Sequence, residues 1–489
     1  MLQSMIDNIS KTLRLRPAAC SLCLLVISSV AGCATFHDQP LKPELTAAAF
    51  DARTLNDAGL RQFIATNLHH DVTVWDIPAL TLVAFYFHPD LEVARAQWAV
   101  ALAGIRTAGE RPNPSVTFAS GYNTTTATPS PWMPLVAFDI PIETAGKRDY
   151  REAQAKYIAE AARLRLAATA WQVRSRVRSS FVALLAARES ETLLQQQQKL
   201  QDENLRLLEQ QLAAGGASAF ELTQARIAAQ SAQLAWRDAQ RKSGETLGQL
   251  AEALGVPVAA LCGVKFSTAT GDKLPDTLLA TAARRQALLR RADLLAALAD
   301  YAASQSTLQL EIAKQYPDIH LGPGYQYDQG DNKWTLGLTL TLPLLNRNQG
   351  AIGEAEARRA EAAAKFNALQ ATLIAELDRA VAGVETARLK LADTTLLSAQ
   401  LQGQEHTARV MQTAGEISQA ELLALRLPLA AAALARLDAE TQAQQALGAF
   451  ENAVQMPLSV FQALGKEGIP ASNPWKNFTT LINSVKRAP

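Results

Sequence analysis

Trp334-Thr335-Leu336-Gly337-Leu338-Thr339-Leu340-Thr341-Leu342 carries an apolar side chain at every even position and a threonine or glycine at every odd one. Successive side chains of a strand point to opposite faces, so this alternation predicts a strand over 334–342 with one greasy face and one small, polar face. Three other stretches share the pattern. Over 115–122, Val116, Phe118 and Tyr122 alternate with Ser115, Thr117, Ala119 and Gly121; over 135–142, Val136, Phe138, Ile140 and Ile142 share a face; over 318–327, Ile319, Leu321, Tyr325 and Tyr327 oppose His320, Gly322, Gly324 and Gln326. A membrane barrel wall turns such an apolar face to lipid and keeps the Gly and Thr face for a wet lumen. Four strands cannot close on themselves, and open edges are not tolerated in hydrocarbon, so the barrel reading requires several chains to share one wall. Three copies would give twelve strands. The other reading is a pair of hairpins capping a helical domain.

The strands fall into two pairs because the chain repeats itself at a displacement of about 200 residues. Asp90-Leu91 aligns with Asp293-Leu294, Asn113-Pro114 with Tyr316-Pro317, Gly121-Tyr122 with Gly324-Tyr325, and Ile140-Pro141 with Leu342-Pro343. No proline lies between Ile142 and Pro257. The span 144–214 therefore has room for roughly 70 helical residues, about 105 Å, and 346–414 repeats it. Ala-rich runs such as Glu354-Ala355-Glu356-Ala357-Arg358-Arg359-Ala360 resemble coiled-coil packing surfaces. The chain turns at Gly215-Gly216 and at Gly415. Ser218 and Ser418 are placed as N-caps of the returning helices, with Glu221 and Glu421 completing Ser-x-x-Glu capping boxes. Each half thus reads as helix, two strands, very long helix, sharp turn, second long helix. The fold class is mainly α with a membrane β-barrel, built from tandem repeats of long helical hairpins and four strands.

The start of the chain bears on location. Lys11, Arg14 and Arg16 precede an apolar run from Ala18 to Val30, which is too short to span a bilayer and reads as an export signal over 1–32. Val30-Ala31-Gly32-Cys33 resembles the bacterial lipobox, which implies a covalent lipid on Cys33, and Ala34 in place of Asp favours sorting to the outer membrane. The alternative is an ordinary signal cut near Ala31 that leaves Cys33 free. Cys20 and Cys23 fall in the removed segment, so no structural disulfide is expected, and Cys262 is expected as a small buried hydrophobe. Beyond the signal no apolar run reaches eighteen residues. The expected organisation is a tether over 33–76, a first repeat over 77–256, a connector over 257–275, a second repeat over 276–457 and a belt segment over 458–489.

Composition excludes several functions. With 48% apolar residues, 19% charged residues and a net charge of +1 over 489 residues, the chain is neither disordered nor built for nucleic acid. Six His and four Cys leave little for a metal cluster. There is no GxxxxGK[ST], HExxH or GxSxG pattern, and Ala145-Gly146-Lys147-Arg148 lacks the upstream glycine of a phosphate loop. No catalytic residue, metal site or cofactor is expected, apart from the lipid on Cys33. His69, His70 and His320 read as solvated or structural.

Three motifs then become specific: Arg111-Pro112-Asn113-Pro114-Ser115, Pro141-Ile142-Glu143-Thr144-Ala145-Gly146-Lys147-Arg148 and Leu342-Pro343-Leu344-Leu345-Asn346-Arg347-Asn348-Gln349-Gly350. Together with the repeat plan they resemble the TolC family of outer-membrane efflux channels, and locally its CzcC-like heavy-metal branch, over about residues 77–457. The resemblance implies a homotrimer with a twelve-stranded barrel in outer-membrane lipid and a twelve-helix periplasmic tunnel. It also implies docking on a periplasmic adaptor (membrane fusion protein) fed by an inner-membrane pump of the RND type, with passive conduction of metal cations or drugs. Carried over residue by residue, the adaptor-docking tips are Gly215, Gly216, Ala217 and Ser218, and Gly415, Glu416, Ile417 and Ser418; turn chemistry alone also accounts for their Gly and Ser. Some relatives close the periplasmic end with a carboxylate ring on the last long helix, at the position of Ala424 here. The gate candidates are therefore Glu416, Glu421 and Pro428, with Glu421 doubling as capping partner and Pro428 expected to bend its helix and narrow the tip. A lipid-anchored periplasmic coiled-coil scaffold is the rival reading, and multidrug export rivals metal export within the channel reading.

Overall fold

The computed structural model describes residues 34–124, 129–268, 274–275 and 280–461. The export signal, Cys33 and nearly all of the expected belt lie outside these residues. Residues up to Ala52 form one unit, whose described helix α1 (Pro43–Asp51) is exposed throughout, and the rest of the chain from Arg53 forms a second unit.

The second unit begins with α2 (Ala58–Leu68), α3 (Ile77–Phe87) and α4 (Pro89–Gly109). Strands β1 (Ser115–Tyr122) and β2 (Trp132–Ile142) follow, then α5 (Lys147–Ala213) and its return α6 (Ala219–Leu254). The second repeat runs α7 (Ala280–Arg290), α8 (Ala292–Ala313), β3 (Ile319–Asp328), β4 (Asp331–Leu340), α9 (Gln349–Thr413) and α10 (Gln419–Val454). The 67 residues of α5 and the 65 of α9 reach about 100 Å each. Helices of this length are held by neighbours, and α5 packs against α4, α6, α8 and α10, which makes it the common partner of both repeats.

Each repeat has its own core at the end of its hairpin away from the turn. Leu80, Phe85, Leu91, Leu166, Phe181, Leu250 and Leu254 pack in the first, and Leu377, Val384, Leu447, Phe450 and Val454 in the second. The expected tether is only partly a tether. Leu55, Leu60, Ile64, Val72 and Trp75 are buried in the first core, and Trp75 pairs with the connector through its amide to the Lys265 carbonyl (3.0 Å) and its carbonyl to the Ser267 amide (2.9 Å). Apolar residues at i and i+4 in α2 and the Trp75 ring make this segment part of the fold. Cys262 also departs from expectation: it is exposed, because the 3₁₀ turn Val258–Leu261 points Leu261 inward and leaves the next side chain outside.

The four strands form one antiparallel sheet in the order β1-β2-β3-β4, so β1 and β4 are its free edges. Ser115 lies opposite Asp139 in the first hairpin, Ile142 opposite Ile319 between the hairpins, and Ile319 opposite Leu340 in the second. Strand ends move slightly from expectation. β2 begins at Trp132 rather than 135, and β4 runs from Asp331 to Leu340 rather than 334–342.

Candidate functional site

The register puts all four alternations in phase. Val116 faces Phe138, Phe118 faces Val136, Ile140 faces Leu321, Tyr325 faces Trp334 and Leu321 faces Leu338, so one side of the sheet is continuously apolar. Its counterpart pairs Ala137 with Gly324, Gly322 with Gly337 and His320 with Thr339. Two aromatic pairs close the apolar face at the hairpin ends: Tyr122 with Trp132 at 5.0 Å and Tyr325 with Trp334 at 4.9 Å between ring centroids. Amphipathic rings at that level are how a barrel marks a lipid–water boundary. On the polar side the His320 Nδ1 lies 2.9 Å from Asp139, a structural partner that sequence reading did not find for this histidine.

Where strands give way to helices, Gly146 and Asn348 stand at matched N-cap positions and both adopt left-handed backbone (φ 68° and 60°), which aims α5 and α9 away from the sheet. The two repeats are joined here inside one chain. Lys147 is buried and its ammonium donates to Asp318 and to the Tyr316 carbonyl, both at 2.7 Å, while the Thr144 amide donates to Asp318 (2.9 Å) and its hydroxyl to the Pro317 carbonyl (2.6 Å).

Farther along, a buried ionic cluster ties α5 to the end of α10. Glu451, only 1% exposed, pairs with Arg174 (3.1 Å) and Arg178 (3.3 Å) and accepts the Leu458 amide (2.7 Å). Arg178 also donates to the Gln444 carbonyl at 2.7 Å, and the Trp171 indole to Asn452 at 3.1 Å.

The two hairpin turns are near copies. The Gly216 and Glu416 amides reach back to the Gln211 and Met411 carbonyls (2.8 and 2.9 Å), closing Schellman motifs around Gly215 (φ +75°) and Gly415 (φ +80°), where a side chain would be strained. Ser218 and Ser418 cap α6 and α10, and both capping boxes are complete: each serine amide donates to its glutamate at 2.7 Å and each hydroxyl at 2.8 Å. The Ser418 amide, then its hydroxyl, hold the Glu421 carboxyl below the ordinary carboxylate range. Glu421 is thus turned onto its own cap, and both it and Glu416 are exposed. α10 runs unbroken through Pro428.

Sequence reading missed the carboxylate that organises this end. Glu405 is buried and accepts from Arg409 (2.7 Å) on its own helix and from Arg426 (3.1 Å) on α10; the Arg409 bond, against the cost of burial, and then the Arg426 bond hold its carboxyl below the usual range. The available signal was Arg426 and its repeat mate Arg226, which lies 3.7 Å from Glu209 on α5. The Gln419 amide donates to Glu203 (2.7 Å), linking the second turn to the first hairpin. No helix of the described residues is long and apolar enough to cross a membrane, and no group of three metal-ligating side chains occurs among them.

Known proteins share this arrangement. The family described as outer membrane efflux protein matches residues 87–256 and 283–454. The chain is 29% identical over 256 residues to the cobalt-zinc-cadmium resistance protein CzcC of Cupriavidus metallidurans, an alignment covering 50% of this chain and 58% of that one. The match therefore spans little more than half of that relative. Among solved structures, the outer membrane protein VceC of Vibrio cholerae superposes with a TM-score of 0.64 at 19% identity, covering 78% of this chain and 96% of that one. The CmeC outer membrane channel of Campylobacter jejuni superposes with a TM-score of 0.64 at 17% identity, covering 92% and 97%. These two likenesses show the fold.

Proposed function

The chain belongs to the outer membrane efflux protein family, and from that premise we propose that it is the passive exit duct of a tripartite efflux system. Three copies share a twelve-stranded barrel in the outer membrane, and their helical hairpins form a tunnel that receives cargo from a periplasmic adaptor and an inner-membrane pump of the RND type. The observation that carries this reading is the sheet: one continuous apolar face, one small polar face, and two edges with no partner strand among the described residues. Each backbone group left unpaired in hydrocarbon costs several kcal/mol, roughly, so such a sheet is stable in a membrane only as part of a closed wall. A tethered scaffold would not need a sheet with lipid-compatible and water-compatible sides.

The turns at 215–218 and 415–418 are the docking tips of this proposal. Glu416, Glu421 and Pro428 line the region where the tunnel narrows, and Cys33 carries the lipid that holds the chain at the inner face of the outer membrane. Metal cations are the preferred cargo, supported by the relative named for cobalt, zinc and cadmium resistance. Cargo selection rests with the pump. The test is single-channel recording of the detergent-purified protein in planar bilayers, with its mass measured in the same detergent. Stepwise ohmic conductance from a trimer is expected, and a monodisperse monomer that passes no current would refute the duct.

A further inference from the structure

The repeat supplies the register in which two copies meet. Resting on the shared wall proposed above, we infer that β4 of one copy pairs antiparallel with β1 of the next so that Leu340, Leu342 and Leu344 lie opposite Ser120, Phe118 and Val116 of the adjacent copy.

The displacement between repeats preserves strand register within the chain. Tyr122 corresponds to Tyr325 and Trp132 to Trp334, and the pairing of Tyr122 with Trp132 reappears as the pairing of Tyr325 with Trp334. The same correspondence carries Val116 opposite Phe138 into Ile319 opposite Leu340, so it transfers a register faithfully within the chain. Applied to the seam between β2 and β3, it has one further product. Ile142 opposite Ile319 becomes Leu344 opposite Val116, Ile140 opposite Leu321 becomes Leu342 opposite Phe118, and Ala137 opposite Gly324 becomes Thr339 opposite Gly121. Parity holds: every apolar position meets an apolar-face position, and a slip of one residue would turn Leu to the lumen and Thr to lipid.

Exposure in the single chain agrees. Phe118 on the free edge of β1 is 69% exposed, and Leu342 and Leu344 just past the end of β4 are 64% and 74% exposed. β4 ends at Leu340 because its neighbour β3 begins at Ile319, opposite it, whereas the equivalent strand β2 runs on to Ile142 along β3. Past Leu340 the chain turns, with the Leu344 amide donating to the Leu342 carbonyl (2.9 Å), so pairing with β1 of another copy requires residues 341–344 to open into the extended form that 140–142 take along β3. The template also shows that a proline is accommodated, since Pro141 lies opposite His320 where Pro343 would lie opposite Thr117. One difference follows. The Lys147 and Asp318 positions of the internal seam correspond to Gln349 and Ser115 at the seam between copies, so the latter has no ion pair at this level.

The test is disulfide formation in a Cys262→Ser background. Strand residues directly opposite one another have Cα atoms about 4.5–5.5 Å apart, within disulfide reach, whereas a partner two residues along lies beyond about 7 Å. Thr339→Cys combined with Gly121→Cys, and separately Leu338→Cys with Tyr122→Cys, should give intermolecular disulfides on non-reducing gels. At least tenfold more is expected than from Thr339→Cys with Ala119→Cys. Cross-linking that favours the displaced pair overturns the register and leaves the shared wall standing. A protein that scatters light as a monomer in detergent and cross-links with no pair overturns the shared wall itself.

Discussion

Replacing Glu451 by alanine should be among the most damaging single changes in the helical part of the molecule. Its carboxylate accepts from Arg174 and the Leu458 amide and forms an ion pair with Arg178 (3.3 Å) in a site almost closed to solvent. Arg174 is the more open of the two arginines and stacks on Trp171 with its guanidinium carbon 4.7 Å from the ring centroid, so water can replace part of its loss. Arg178 keeps its bonds to Gln444 but loses the carboxylate that balances its buried charge, and the Leu458 amide loses its acceptor. Two charge-assisted interactions of about 1.5–3 kcal/mol each give roughly 3–6 kcal/mol, which brackets the about 3–5 kcal/mol typical of a buried ion pair stripped of one partner. Glu451→Gln keeps an oxygen for Leu458 and most of the volume, so its loss should be smaller than that of Glu451→Ala. Urea titration in detergent, followed by helical circular dichroism, measures both variants. A Glu451→Ala loss below about 1 kcal/mol would show that the cluster is solvated and that α5 and α10 are held by their apolar contacts alone.

Two further outcomes follow from the hairpin ends. Ser218→Ala and Ser418→Ala should each raise amide hydrogen exchange about fivefold in the first turn of α6 or α10, and leave the cores unchanged, because each removes one side of a capping box. Glu405 has a folded-state pKa below its unfolded value of about 4.3, so its contribution is fully present above that pH and fades as pH falls through the lower folded value. Below about pH 4.3 the urea midpoint of the parent should therefore fall more steeply than that of Glu405→Gln, and parallel curves would remove Glu405 from the account.

The sheet and the turns were legible in the sequence because their causes are local. Alternation at Trp334 through Leu340 and at Ser115 through Tyr122 survives because both faces matter, and Gly-Ser-Glu spacing encodes the turns within a few residues. The start of β2 was missed because Met133 and Pro134 interrupt the alternation, while the stacking of Tyr122 on Trp132 keeps the strand paired. β4 was read as ending two residues late because the side-chain pattern continues past the last backbone partner in the chain, and as starting three late because Asp331, Asn332 and Lys333 carry no alternation. Glu451 and Glu405 were invisible for a different reason. A carboxylate in an Ala-rich helix reads as solvated surface, and the arginines that bury Glu451 lie more than 270 residues earlier. Asp139 and His320 meet across strands from different repeats, a contact no spacing rule reaches. Cys262 was placed inside on residue type alone, and the phase of a short 3₁₀ turn decided otherwise.

The bare edges of β1 and β4 also set a condition on biogenesis. A solitary polypeptide with one strand on each side waiting for a mate is as ready to polymerise open-ended as to close, since nothing in pairwise annealing counts to three. In the proposed three-copy wall, termination depends on sheet curvature bringing the third arrival back to the first, so insertion and ring closure would behave as one concerted event. Yield should then rise steeply with the local density of newly delivered chains, and any device that gathers them at one patch of membrane acts as a catalyst of assembly without touching the finished channel.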